Sequence, residues 1–175
     1  NLKCKLTIFD QSKDALTEAQ KNLKPFKFKR KIGNILDETI RFNNKFDMVW
    51  CYGVVHHTGN IKLALNNIKK FLKKGGYLFL MVYGEPFLKS DFTEVNQYTY
   101  LRNKTKKLSF KEKHDFFTEN YPQNSIHTLF DAISPAINEL YTFDEIKLIL
   151  QELNFGNITR TVNARNHHII ANLNG

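Results

Sequence analysis

One stretch decides the fold: residues 46–58, FDMVWCYGVVHHT, in which strand-forming residues lead into a pair of histidines. Apolar residues then recur at helical spacing from Ile61 to Leu72, and Gly75-Gly76 is predicted to end that helix. Tyr77 to Tyr83 is a second strand-forming run. Strand, helix and strand in this order predict a β-α-β unit, whose strands pair in parallel and carry sites at their ends. Chemistry is therefore expected where the histidines follow the first strand.

Two further strands and a helix are predicted before that unit. Cys4 to Phe9 is a β-prone run, and Ser12 is a candidate cap for a helix that ends at Pro25. Phe26 to Ile32 alternates basic and apolar residues, as a strand covered on one side does. Gly33-Asn34 then turns the chain out of that strand.

The sequence changes character after Tyr83. Residues 84–140 hold many aromatics and no clear strand, which predicts a helical insertion with a polar connection at Arg102–Ser109 and breaks at Pro122 and Pro135. After it, Thr142 and Glu145 form a capping-box pattern for a further helix. Two closing strands are predicted at residues 158–162 and 168–173.

Composition limits the class of protein. A chain of 175 residues, 42% hydrophobic and 25% charged, fits one soluble domain with a single core. No apolar run approaches the roughly 20 residues that a membrane helix needs, so no membrane partner is expected. The two cysteines, Cys4 and Cys51, fall in predicted strands, where we expect them to be small core residues rather than a disulfide. A cytoplasmic location follows as the expectation.

A net charge of +9 raises the question of nucleic-acid binding. The basic residues are spread along the chain: they flank a strand near Lys27, close a helix at Lys69–Lys74, and recur at Arg102–Lys107. Cations near a helix C-terminus suit the helix dipole, so most of them fit a solvated surface. A nucleic-acid partner therefore stays an alternative to a small-molecule one.

Four motifs in series resemble those of a known family. They are residues 9–12 (FDQS), Gly33-Asn34-Ile35, Phe46–His57 and Leu72–Leu78. In this order they resemble the class I S-adenosylmethionine-dependent methyltransferases, in particular the small-molecule branch that includes the ubiquinone and menaquinone biosynthesis enzymes. The resemblance covers residues 4–83 and resumes at 141–173. It implies an α/β Rossmann-like fold, a mostly parallel sheet with an antiparallel last strand, and S-adenosylmethionine as cofactor.

One part of the family pattern is missing from the sequence. The family begins with a strand and a glycine-rich G-x-G turn, and no G-x-G occurs in these 175 residues. That strand is central in the family's sheet, so without it Cys4–Ile32 is expected to separate from the other strands and leave unpaired inner edges. We therefore expect residues 1–175 to be a single, N-terminally incomplete methyltransferase-like domain. A degenerate member without cofactor binding is the other interpretation.

The resemblance also assigns cofactor contacts. Asp10 stands where the family has an acidic residue that accepts hydrogen bonds from both ribose hydroxyls, although a helix-initiating aspartate in a turn is an alternative. Asn34 stands where the family often has an aspartate against the adenine amino group, and Ile35 is either an adenine contact or a loop anchor. The full set of cofactor contacts implied is Asp10, Gln11, Asn34, Ile35, Cys51, Tyr52 and Gly53.

Candidate catalytic and substrate residues follow from the same motifs. His56 and His57 are candidates for a base that removes a proton from the methyl acceptor, with a structural role at the helix start as the alternative. The insertion at about 84–140 is expected to act as a lid over the cleft, and its aromatics either contact substrate or pack in a core. The substrate candidates are Tyr83, Tyr98, Tyr100 and His127. The histidine spacing does not match a zinc site, and no metal is expected.

The expected function is methyl transfer from S-adenosylmethionine to an oxygen, nitrogen or activated carbon of a small molecule. Two alternatives remain at this point. One is a noncatalytic methyltransferase-like binding module, and the other is an RNA methyltransferase that uses the basic surface. The sequence indicates neither the acceptor nor the oligomeric state.

Overall fold

The structure is a computed structural model that describes residues 4–86 and 88–175. Phe87, one of the aromatics of the predicted insertion, lies outside the described residues. Within them the chain forms six strands: Leu6–Asp10 (β1), Phe28–Ile32 (β2), Phe46–Tyr52 (β3), Leu72–Val82 (β4), Phe155–Arg160 (β5) and His167–Leu173 (β6). The helices are Lys13–Asn22 (α1), Ile61–Phe71 (α2), Lys89–Thr105 (α3), Phe110–Asn120 (α4), Ile126–Ile133 (α5) and Phe143–Glu152 (α6), with a 3-10 turn at Val55–His57.

The strands form two sheets within the described residues. One pairs β1 with β2 in parallel, and the other has the order β3-β4-β6-β5. In the second sheet β3 and β4 are parallel, whereas β6 runs antiparallel to both β4 and β5. The predicted α/β class with an antiparallel last strand is confirmed. The separation of β1 and β2 from the other strands is also as expected.

The main core lies between one face of the larger sheet and helices α2 and α6. Leu78 and Leu80 of β4 and Ile169 of β6 are fully buried there against Leu65 of α2 and Leu150 of α6. Side chains of a strand alternate between the two faces of its sheet, so every second residue of β4 from Leu78 onward and of β6 from Ile169 onward enters this core. Asn60 caps α2 by accepting a hydrogen bond from the Leu63 N–H at 3.0 Å.

The other face of the larger sheet carries stacked aromatic rings. Trp50 and Phe79 lie side by side in β3 and β4, with ring centroids 4.0 Å apart and planes 11° apart. Tyr52 extends the stack, with its ring plane 2° from that of Phe79. Trp50 is 63% exposed and Tyr52 48%. The two faces therefore differ sharply: one is buried under helices, and the other presents its rings to solvent within the described part of the chain.

The insertion after β4 forms a second, smaller core. Helices α3, α4 and α5 meet at Leu101, Phe117, Leu129 and Ile133, all of which are buried. A bridge between Gly84 and Tyr141 brings the two ends of the insertion together. The helical insertion is confirmed, and α4 and α5 end just before Pro122 and Pro135.

The connection predicted at Arg102–Ser109 begins later than expected. Helix α3 continues to Thr105, which is buried and donates its hydroxyl hydrogen to the Leu101 carbonyl at 2.8 Å. Packing of the last turn against the small core therefore overrides the polar composition of this segment.

Three predictions near the strands are wrong. Gly75-Gly76 does not end α2, which stops at Phe71; the glycines lie inside β4 at an irregularity in its pairing with β3. Gly75 has a φ of 72°, a conformation that suits glycine. Cys4 is exposed rather than in the core, because the first strand begins only at Leu6, whereas Cys51 is buried as expected. Strand β5 begins at Phe155 instead of residue 158, because Phe155 is buried beneath α6.

The helix α6 provides a matched test of the main core. Leu150 is fully buried and Leu148, on the same helix, is 57% exposed. Replacing Leu150 with alanine is expected to lower the free energy of unfolding by about 2–5 kcal/mol, because it leaves a cavity in the core. Leu148→Ala should change it by no more than about 0.5 kcal/mol. Urea unfolding of both variants checks this, and equal losses would contradict the assignment of the core.

Candidate functional site

The candidate site lies at the carboxyl ends of the parallel strands. In the small sheet Asp10 pairs with Ile32, and the Gly33 N–H donates to the Asp10 carbonyl at 3.1 Å, so the loops after β1 and β2 are adjacent. In the larger sheet the Gly53 N–H donates to the Met81 carbonyl at 3.1 Å, so the loops after β3 and β4 are adjacent as well. Loops at this edge are where open α/β sheets bind ligands.

Asp10 keeps part of its hydrogen-bonding capacity. Its Oδ1 accepts the Ser12 N–H at 2.7 Å, which holds the turn before α1, and Ser12 in turn caps that helix. Its Oδ2 has no hydrogen-bond partner among the described residues, and the side chain is exposed. Asp10 thus serves the turn and retains a free acceptor oxygen, which is compatible with both roles predicted for it. Gln11 lies exposed beside it.

The two cofactor contacts predicted in the loop after β2 have different environments. Asn34 is exposed, and its Oδ1 accepts the Leu36 N–H at 2.9 Å in a local turn. Ile35 packs against the main core, and its carbonyl accepts a hydrogen bond from Asn67 Nδ2 at 2.7 Å. These contacts favour the loop-anchor interpretation of Ile35 and leave Asn34 accessible.

The end of β3 also separates its residues. Cys51 is 7% exposed and belongs to the main core, and burial raises the pKa of its thiol to about 12. Its side chain therefore faces the helices, on the opposite side of the sheet from Tyr52. Gly53 has a φ of 72°, so the backbone conformation itself favours glycine at this turn. Among the described residues, a Cβ there would contact only the Met81 methyl, at 3.4 Å.

The two histidines have different environments. His56 is fully buried, and neither of its ring nitrogens has a hydrogen-bond partner among the described residues. Burial, and secondarily the neighbouring His57, lower the pKa of His56 to about 3. His57 is only partly buried, and its Nδ1 lies 2.8 Å from the Ile137 carbonyl oxygen. Since a carbonyl can only accept, Nδ1 carries the hydrogen and Nε2 of a neutral His57 carries the lone pair.

Tyr83 connects the histidines to a cavity. Its ring centroid is 4.1 Å from that of His56 and 5.5 Å from that of His57. Tyr83 also lines a cavity of about 150 Å³ between the end of β4, helices α3 and α5, and the loop before β6. Tyr98 lines the same cavity, whereas Tyr100 and His127 do not. The predicted substrate contacts of Tyr100 and His127 therefore gain no support from its geometry.

Charged side chains complete the cavity wall. They are Glu94, Arg102, Asp131 and Arg165. Burial raises the pKa of Tyr83, with a smaller contribution from Asp131, and burial and then Glu94 raise that of Tyr98. Both phenols are therefore neutral hydrogen-bond donors near neutral pH. Sequence reasoning missed the four charged residues, because no spacing connects α3, α5 and the loop before β6.

Two further observations bear on the class of site. Across residues 4–86 and 88–175, no three histidine, cysteine or acidic side chains cluster in a way that would hold a metal ion. In the same residues, no helix combines the length and the apolar character needed to cross a membrane.

Comparison with known proteins shows a family similarity in the first part of the chain and a shared fold. Residues 1–78 match the family described as "Methyltransferase domain". No curated protein matches the chain. Solved methyltransferase structures share the fold of this chain. Membership of the class I S-adenosylmethionine-dependent methyltransferases, and of the particular branch suggested by the sequence motifs, stays a prediction.

Three solved structures illustrate the similarity. The C-methyltransferase domain of the citrinin polyketide synthase is 19% identical with a TM-score of 0.62, over 95% of this chain and 38% of that one. A methyltransferase described as putative, from Bacillus halodurans, is 14% identical with a TM-score of 0.62. The match covers 98% of this chain and 84% of that one. Human N-acetylserotonin methyltransferase, solved in complex with S-adenosylmethionine, is 14% identical with a TM-score of 0.57, over 98% and 41%. The chain thus spans about two fifths of the length of the first solved structure it matches.

The buried histidine has a consequence for stability against pH. In the unfolded chain His56 takes up a proton as the pH falls through 6.5. In the folded chain its pKa is about 3, so it stays neutral until the pH reaches that value. The free energy of unfolding should therefore fall with decreasing pH in this range, by up to about 1.4 kcal/mol per pH unit from this residue. In His56→Leu that slope should be smaller.

Urea unfolding at several pH values between 7 and 4 measures the slope. His114→Leu is the control, since His114 lies on α4 with its side chain 50% exposed. An unchanged slope in His56→Leu would contradict the burial of a neutral imidazole.

Proposed function

We propose that this protein transfers a methyl group from S-adenosylmethionine to a small-molecule acceptor. The observation that supports this most strongly is that the family's acidic position, a left-handed glycine and a cavity each lie at the carboxyl end of a parallel strand. Asp10 offers an unpartnered carboxylate oxygen, Gly53 turns the backbone at the end of β3, and Tyr83 opens into the cavity. The solved human N-acetylserotonin methyltransferase, which shares the fold, holds S-adenosylmethionine.

The residues at this edge fit the cofactor chemically. A carboxylate suits ribose hydroxyls because it is purely an acceptor, and Asp10 has an oxygen to spare. Asn34, Gln11 and Tyr52 are exposed and therefore accessible to a cofactor. Ile35 and Cys51 contribute through the backbone and the core rather than through exposed side chains. When bound, the cofactor supplies a methyl group on a positively charged sulfonium, which carries the reactivity.

His57 is the better of the two candidates for the base. Its Nδ1–H is held by the Ile137 carbonyl, which leaves Nε2 to accept a proton from a hydroxyl, amine or acidic carbon of the acceptor. His56 is held neutral in the core and packs between His57 and Tyr83, so it acts as a positioning residue. Residues of helices α3 and α5 line the cavity, which gives them the place to orient the acceptor.

A second candidate is a binding module for RNA. The observation that favours it is a groove at the edge of the small sheet, lined by Lys24, Lys27 and Arg30 around Phe26 and Phe28. Cations with exposed aromatic rings suit single-stranded nucleic acid, and the net charge of +9 has the required sign. Salt-dependent binding of an RNA oligonucleotide, together with no binding of S-adenosylmethionine, would favour this candidate over the enzyme.

Cofactor binding tests the enzyme. Isothermal titration with S-adenosylmethionine should show saturable binding, and Asp10→Ala should weaken it by about 1.5–3 kcal/mol, the scale of hydrogen bonds to a charged group. Asp14→Ala is the matched control, because Asp14 is an exposed aspartate in the first turn of α1. Equal affinities for Asp10→Ala and Asp14→Ala would reject the ribose contact, and no binding by the unmodified protein would reject the cofactor.

The base is tested by kinetics. With an acceptor identified from a screen with radiolabelled S-adenosylmethionine, His57→Gln is expected to reduce the methyl-transfer rate by roughly 10²–10⁴ and leave cofactor affinity unchanged. The reason is that the amide cannot take up the proton that Nε2 accepts. His114→Gln, on the exposed side of α4, serves as control. A rate within threefold or so of the unmodified protein would mean that His57 is not the base.

A further inference from the structure

The cavity beside Tyr83 contains polar atoms that lack partners. Arg165 Nη1, Arg102 Nε and Asn138 Oδ1 are buried and have no hydrogen-bond partner within the described residues. Buried polar groups in proteins are nearly always paired, so a group of unpaired ones around one cavity indicates a ligand that pairs them. Two of the three are guanidinium N–H donors. The missing group is therefore chiefly an acceptor.

Arg165 is held in place by the backbone around it. Its side chain is only 16% exposed. A Cβ on Gly84 would lie 1.9 Å from the Arg165 carbonyl oxygen, so the absence of a side chain at Gly84 is what allows this loop to pack against the end of β4. Asn166 also faces the cavity from the same loop. The backbone of Arg165 is therefore held against the end of β4, and its side chain lines the cavity.

A carboxylate already approaches Arg165 without pairing well. Glu94 Oε2 lies 3.3 Å from Arg165 Nη1, close enough for an ion pair, but the alignment does not make a hydrogen bond. The Glu94 side chain is 45% exposed, so part of it already faces solvent, and it also interacts with Tyr98. With Arg102 and Asp131 also in the wall, the cavity carries two positive and two negative charges. When Glu94 turns away, the wall gains a net positive charge next to Arg165.

The size of the cavity limits the ligand. At about 150 Å³ it matches cavities that hold a single benzene molecule. Tyr83 and Tyr98 supply flat aromatic walls, and Asn138 Oδ1 offers an acceptor to a hydroxyl or amino hydrogen. A ligand with one ring and one anionic group satisfies both the volume and the unpaired donors.

We infer that the methyl acceptor is a small single-ring carboxylate, whose carboxylate binds the Arg165 guanidinium in place of Glu94. This inference rests on the proposed function for the identity of the ligand as the acceptor. A carboxylate matches the planar fork of a guanidinium with two parallel hydrogen bonds, which a spherical anion does not. Arg165 is thus a specificity-determining residue. In the absence of substrate, the Glu94 carboxylate occupies the position next to Arg165 that the substrate carboxylate would take.

Benzoate and benzamide are the probes, because they share size and shape and differ in charge. Titration of the full chain, followed by heteronuclear NMR, should show benzoate binding about tenfold or more tightly than benzamide, the scale of one charge-assisted pair. Arg165→Gln should remove that preference, Arg165→Lys should restore part of it, and Glu94→Gln should tighten benzoate binding several-fold. Lys111→Gln, which removes one positive charge from an exposed site on α4, should change nothing.

Two results would overturn the inference: equal affinity for benzoate and benzamide, or a benzoate preference that survives in Arg165→Gln. Folding of each variant is checked by thermal unfolding, and Arg165→Lys keeps the test open if Arg165→Gln does not fold. Titration with S-adenosylmethionine separates the two proposals. Cofactor binding without an Arg165-dependent benzoate preference rejects this inference alone. An Arg165-dependent benzoate preference without cofactor binding rejects the methyl-transfer function, and with it the identity of the ligand as the methyl acceptor.

Discussion

The pairing of β4 on both of its edges is the constraint on which the rest of the structure depends. Strand β4 pairs in parallel with β3 and antiparallel with β6, and its inward residues Leu78, Leu80 and Val82 are completely buried. Hydrogen bonds on both sides leave it no freedom to shift, because a slip by one residue would move every core side chain to the wrong face. The last residues of β4 therefore have a fixed position, and the loops of the candidate site follow from that end of the sheet.

The consequence is visible in how unlike the two adjacent histidines are. The 3-10 turn after β3 directs His56 into the core and leaves His57 at its margin, where the Ile137 carbonyl fixes its tautomer. Two identical side chains thus acquire different chemistry from position alone. Burial at His56 removes the solvation that a charged imidazole needs, which is why His57 is the better candidate for proton transfer.

Much of this was predictable from the sequence where local signals agree with tertiary packing. Thr142 and Glu145 cap α6 as their spacing predicts, with the Thr142 N–H donating to Glu145 Oε2 at 2.7 Å. The prediction for Gly75-Gly76 was wrong because a glycine pair usually ends a helix, whereas here it lies inside an irregular strand. Pairing of β4 with β3 determines this outcome. Arg165 and Glu94 were unpredictable for another reason. They lie 71 positions apart, and only the folding of the insertion against the loop before β6 brings them together.

The aromatic stack on the open face of the larger sheet has a practical consequence. The sequence contains a single tryptophan, and it is Trp50, in the middle of that stack. Indole emission from this protein therefore comes from one known place, a ring that stacks on Phe79 and is 63% exposed. The wavelength of that emission reports how far this face of the sheet is exposed to water. It needs no label, and it reports on the side of the molecule opposite the main core.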